Sequence, residues 1–223
     1  MQFSSPANLA DRRILGFAWA NLIAQIGIVV TGVLVRLTAS GLGCPTWPLC
    51  TTESLVTTPE MGIHGIIEFG NRLLTFVLLA ISVALIWSLW RLRSTRPDLW
   101  RLSIAILAGI PLQAVVGGLS VWMKLNPYVV GLHFVLSVVM ASLSVIVLLR
   151  VIDRDRVARL RDVSGMSWLI AIGVKVTVLV GILTTGSGPH AGDATAPRNG
   201  LEPELMQHLH AWPAYITLAL VLV

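Results

Sequence analysis

Apolar runs of about 20 residues recur along this chain between short polar loops, and that is the length a helix needs to cross a roughly 30 Å hydrocarbon core. Composition agrees: 55% of the 223 residues are hydrophobic and 12% charged, half the charge of a typical soluble domain, which is about 25%. The pattern predicts an all-α, polytopic membrane helix bundle rather than a soluble globule. Five complete spans are expected, at Ile14–Val35, Ile66–Trp90, Leu102–Trp122, Tyr128–Leu149 and Met166–Thr185. A sixth apolar run starts at Ala211 and continues to Val223, thirteen residues, too short to cross a bilayer. The sequence is therefore expected to be a fragment or a truncated reading frame.

The net charge of +5 does not mark a nucleic-acid binder, because the arginines lie in short loops instead of along a stripe. The N-terminus, the loop with Arg91, Arg93, Arg96 and Arg101, and the loop with Arg150, Arg154, Arg156, Arg159 and Arg161 together hold eleven basic residues. The loops of the opposite side hold two, Lys124 and Arg198. By the positive-inside rule the N-terminus is cytoplasmic. The first run is too long for a signal-peptide core and shows no clear cleavage site, so it counts as a span. The expected organisation is a cytoplasmic N-terminus (1–13), a first four-helix bundle (14–149), a cytoplasmic linker (150–163) and the start of a second bundle (164–223).

Polar residues inside spans cost free energy and are functional candidates. His64, Glu68, Asn71 and Arg72 open the second span at i, i+4, i+7 and i+8, on one helix face. His133 lies about one and a half turns into the fourth span, and Gln207, His208 and His210 precede the sixth run. All three spans enter from the outer side, which puts these residues at a similar depth and suggests a shared site in a bundle. The plainer readings are interfacial hydrogen bonding for a lone His133, snorkelling of Arg36 and Arg72 to headgroups, and a structural Glu68–Arg72 pair. Gln113 reads as a helix-packing hydrogen-bonder. Lys175, mid-way along the fifth span, has no assigned role. Imidazoles from facing helices, without thiolates or a carboxylate cluster, suit haem iron better than zinc or magnesium. Arginines near the outer rim, such as Arg36 and Arg72, would meet acidic propionates.

Cys44 and Cys50 are the only cysteines, both in the first outer loop. Outside a bacterial plasma membrane a local disulfide is expected, with a redox-active thiol pair as the alternative. No Cys-x-x-Cys-His is present, which argues against covalently attached haem. The exit from span one, Gly32 to Gly41, is echoed after span five by Gly181 to Gly188, and Glu68-x-x-Asn71 by Gln207-x-x-His210. A four-span unit used twice would give eight spans, the second unit being incomplete here. The Gly186–Asp193 loop reads as an anion nest or simply as flexible chain.

Thr-x-Ser-Gly-x-Gly-Cys-Pro-x-Trp-Pro-Leu-Cys at 38–50, Glu-x-x-x-Arg at 68–72 and Gly131-Leu-His133 resemble the haem A synthase family over essentially the whole chain. The resemblance implies two similar four-helix halves, one holding a haem b cofactor and the other the substrate haem O, whose ring methyl is oxidised to the formyl group of haem A. It carries Glu68 onto the family's essential carboxylate, His133 and His210 onto haem-iron ligands, and Cys44 and Cys50 onto the outer-loop pair. His64, His208, Asn71, Arg72 and Arg36 are expected around the haem. The family usually has a histidine where this chain has Asn71, and the family's eighth-span histidine is missing from these 223 residues. His64, seven residues earlier and about 10.5 Å along the helix, is too far away to substitute for that ligand, and is expected at a propionate or in proton relay.

Expected partners are haem O, membrane lipid, haem O synthase, an electron donor and a further copy of the chain, with no nucleic acid. The competing functions are a di-haem b-type electron carrier and a non-catalytic haem-handling assembly protein; a transporter fits less well, since no unwound mid-membrane helix is evident beyond Pro111.

Overall fold

The computed structural model describes residues 9–152 and 165–222. Of the expected linker 150–163, residues 153–163 with four arginines lie outside the described residues, as do residue 164 and residues 1–8. Six α-helices follow in order: α1 (Leu9–Leu37), α2 (Gly62–Leu89), α3 (Pro97–Trp122), α4 (Pro127–Ile152), α5 (Gly165–Ser187) and α6 (Pro203–Leu222). Single 3-10 turns at Pro59–Met61 and Trp90–Leu92 flank α2, and no strand occurs among the described residues. Five helices are long and apolar enough to cross a membrane, within Arg12–Leu37, Pro59–Leu92, Pro97–Trp122, Pro127–Ile152 and Gly165–Ser187. The protein is a polytopic membrane helix bundle.

Helices begin earlier than the apolar runs because their first turns are polar or capped. Proline at N1 starts α3, α4 and α6, where its missing N–H costs nothing. In α6 the Glu202 carboxylate accepts the main-chain N–H groups of Glu204 and Leu205, capping a helix that starts eight residues before Ala211. The sixth helix is thus 20 residues long, and the apolar run alone understates it.

The chain divides into two compact units. The first comprises described residues 9–32, 70–115 and 136–152. Its core joins Ile14, Ala18 and Leu22 of α1 to Leu78, Leu85 and Leu89 of α2, Ile106 and Ile110 of α3, and Met140 and Val147 of α4. Inside this apolar packing the amide of Asn21 donates to Ser82 Oγ and accepts from Ser144 Oγ, both at 2.8 Å, tying three helices together. Gln113 donates to Ser137 Oγ at 2.6 Å, the packing role its position suggests. Large apolar side chains such as Phe76 and Trp87 are exposed, as lipid-facing residues should be.

The second unit comprises described residues 33–69, 116–135 and 165–222. It contains the α1–α2 loop, the α3–α4 turn, the α5–α6 loop and the α5–α6 pair. The two loops meet where Gly41 N–H bonds the Gly192 carbonyl at 2.8 Å, around a small cluster of Leu125, Ala191 and Ala196. A Cβ on Gly41 would lie 3.0 Å from that carbonyl, so only glycine permits the approach without a shift.

Candidate functional site

The first two turns of α2 hold the cysteine loop. Cys44 and Cys50 form a disulfide, and neither exposes any surface. The Glu68 side chain is buried at 6% exposure, and its Oε2 accepts the Cys44 main-chain N–H at 2.6 Å. A turn earlier, His64 Nδ1 lies 2.9 Å from Ser40 Oγ, itself 2.8 Å from Thr38 Oγ1. Between these two contacts Gly43 lies flush against the α2 backbone, where a Cβ would overlap the His64 carbonyl. Residues spaced i, i+4 on one helix face thus clamp a short loop segment at both ends. His64 is exposed and makes this brace to Ser40.

The two ligand candidates are seated on glycines of neighbouring helices. His133 of α4 is half-buried against Gly117 of α3, where a Cβ would stand 3.2 Å from its Cε1. His210 of α6 is half-buried against Gly181 of α5, where a Cβ would stand 2.8 Å from its Cε1. His210 Nδ1 lies 3.1 Å from the Thr177 carbonyl. A carbonyl can only accept, so Nδ1 is the donor and Nε2 is the ring atom left for a metal. A metal-ligating histidine usually donates its other ring N–H to a carboxylate, a main-chain carbonyl or water in this way. His208, two residues earlier, is exposed.

The remaining candidates have other engagements. Arg36 donates from Nη2 to the His190 carbonyl at 2.6 Å, holding the α5–α6 loop to the end of α1. Asn71, in the first unit, accepts from Thr31 Oγ1 at 2.7 Å. Arg72 is half-buried in the same unit, and Lys175 is exposed mid-way along α5. Sequence reasoning assigned no place to Gly117, Gly118 and Thr177, and it used Ser40, Gly43 and Trp47 only as part of the 38–50 motif and Gly181 only in the repeat. For the first two the available signal was a glycine pair inside an apolar run, a costly choice in a helix unless something must approach closely.

Fold and site define a polytopic helical membrane protein that sets imidazoles and a buried carboxylate beside a disulfide-closed loop. The chain belongs to the cytochrome oxidase assembly protein family, whose model matches residues 16–223. Among similar proteins, a heme A synthase of Staphylococcus epidermidis is 29% identical over 224 residues, covering 92% of this chain and 72% of its own length. One of Staphylococcus carnosus is 29% identical over 91% of this chain and 69% of its own length. One of Listeria monocytogenes is 28% identical over 73% of this chain and 51% of its own. No solved structure matches the chain.

Proposed function

We propose that this chain is a haem A synthase, an oxidoreductase that converts a ring methyl of haem O to the formyl group of haem A, with a haem b as cofactor. The family and its named relatives support a role in haem A biosynthesis. The observation that carries the catalytic reading is the buried carboxylate of Glu68, set one turn beyond the His64 brace and held against the disulfide loop. A bundle that only relays electrons between haems needs no such group.

The residues fit a haem better than a bare metal ion. Among the described residues no group of three or more His, Cys, Asp or Glu side chains could hold a metal. A haem iron brings its own four ring nitrogens and asks the protein for imidazole ligands, which His133 would supply in the first half and His210 in the second. A haem bound there would supply the oxidising iron. Glu68 would handle a proton or stabilise positive charge beside the reacting methyl. By the resemblance alone, Arg36, Arg72, Asn71, His64 and His208 would each have a place around a haem.

In this reading the N-terminus is cytoplasmic and the disulfide loop faces the outer side of a bacterial plasma membrane. By the resemblance, 14–149 would correspond to the family's first four-helix half and 164–223 to part of its second, a division different from the two compact units of the fold. Haem O would be delivered by a haem O synthase, with electrons exchanged with a separate partner and a further copy of the chain as neighbour.

The test is expression of the complete reading frame in membranes that make haem O and lack haem A. Extracted haem is separated by chromatography and weighed by mass spectrometry. Haem A or a hydroxylated intermediate supports the proposal. Haem b with untouched haem O, and a reversible redox spectrum, would overturn it in favour of an electron carrier.

A further inference from the structure

The disulfide loop reaches a second helix through Trp47. Its indole lies on Gly118 of α3, where an added Cβ would overlap the ring. Trp122, one turn further along α3, meets that indole edge-on, with 5.5 Å between ring centroids, and donates its own indole N–H to the Trp47 carbonyl at 3.0 Å. The neighbouring Gly117 accommodates His133. Two adjacent glycines therefore seat two rings on α3, the imidazole from α4 and the indole from the loop.

The other end of the loop is held on α2 by Glu68, His64 and the close approach of Gly43. The disulfide closes the segment 44–50 that carries Trp47, and both cysteines are at 0% exposure. A segment this short has little core of its own, so its largest ring supplies most of the area that keeps it seated.

We propose that Trp47 and Gly118 form a latch that closes the disulfide loop onto α3 beside His133 and seals the Cys44–Cys50 bond from water. Trp47 is a positioning residue, and Gly118 acts through it. The latch itself needs no haem; its consequence for the haem rests on the reading of His133 as a ligand.

The experiment measures how fast a water-soluble phosphine reduces the disulfide in the detergent-solubilised whole enzyme, with released thiols counted by maleimide mass tags. Trp47→Ala and Gly118→Ala are each expected to speed reduction about ten-fold, the scale of one lost aromatic pair. The double variant should be no faster than either single variant, because both remove one contact. Trp47→Phe keeps a ring and should return most of the protection, and it serves if Gly118→Ala does not fold. Unchanged rates, or effects that simply add, would overturn the latch.

The Soret band supplies the second readout. Trp47→Ala should shift it, whereas Trp87→Ala, at an exposed position of α2, should not. If the reduction rates respond while even His133→Ala leaves the band untouched, the latch stands and the ligand reading of His133 falls.

Discussion

Glu68 Oε2 accepts the main-chain N–H of Cys44 at 2.6 Å, so the carboxylate proposed for chemistry also holds the disulfide loop. The two roles separate by substitution. Glu68→Gln retains an oxygen that can accept from Cys44 but cannot take up or release a proton. It should keep haem content and loop protection while abolishing haem A formation. Glu68→Ala should lose both. Extracted-haem analysis beside disulfide reduction rates distinguishes them, and full product yield in Glu68→Gln would remove the carboxylate from the reaction.

His210 and His208 should behave differently. His210→Ala removes the imidazole braced on Thr177 and should lower haem content, whereas His208→Ala, at an exposed position, should leave it near the parent level. Haem-to-protein ratios of the purified proteins check this; equal losses would mean that the Thr177 brace does not select the ligand.

Gly181→Ala tests the same seat from the other helix. Its Cβ would lie 2.8 Å from His210 Cε1, so the ring must shift off the Thr177 carbonyl. Haem affinity should fall about 10–100-fold, the range for losing a partner that orients a metal ligand. Haem titration monitored by absorbance gives the number.

Arg36→Gln should loosen the α5–α6 loop by removing the charged donor to the His190 carbonyl. Trypsin should then cut after Arg198 roughly ten-fold faster, since a hydrogen bond from a charged group is worth about 1.5–3 kcal/mol. Arg36→Lys keeps the charge without the fork and should fall between. Unaltered cleavage would leave Arg36 without a role in holding the loop.

In the first unit, Asn21→Ala removes two hydrogen bonds, to Ser82 and from Ser144. The expected destabilisation is about 1 kcal/mol, typical of side-chain bonds between membrane helices. Unfolding in mixed micelles measures it, with the disulfide loop unaffected as the control.

Helix number and placement were legible because lipid offers the backbone no hydrogen-bonding partner, so any long apolar run must become a helix. The five expected spans each fall on a helix. Boundaries were less legible, as α6 shows: its start depends on Glu202 and Pro203, which carry no apolar signal. The candidate residues were also found by cost, since Glu68 and His133 stand out against apolar neighbours.

Their contacts were not legible. Helical spacing put His64 and Glu68 on one face but did not say that the face holds the loop 40–44. Nor did it say that Arg36 spans 154 residues to bond the His190 carbonyl. What the sequence by itself determined is a membrane bundle with imidazoles and a carboxylate on chosen spans, because burial cost depends on residue type and length alone. What only the tertiary structure decided is which glycine receives which ring and which carbonyl orients His210. Those depend on how closely two helices approach, and a missing Cβ at Gly117, Gly118 or Gly181 shows its use only once its neighbour is in place.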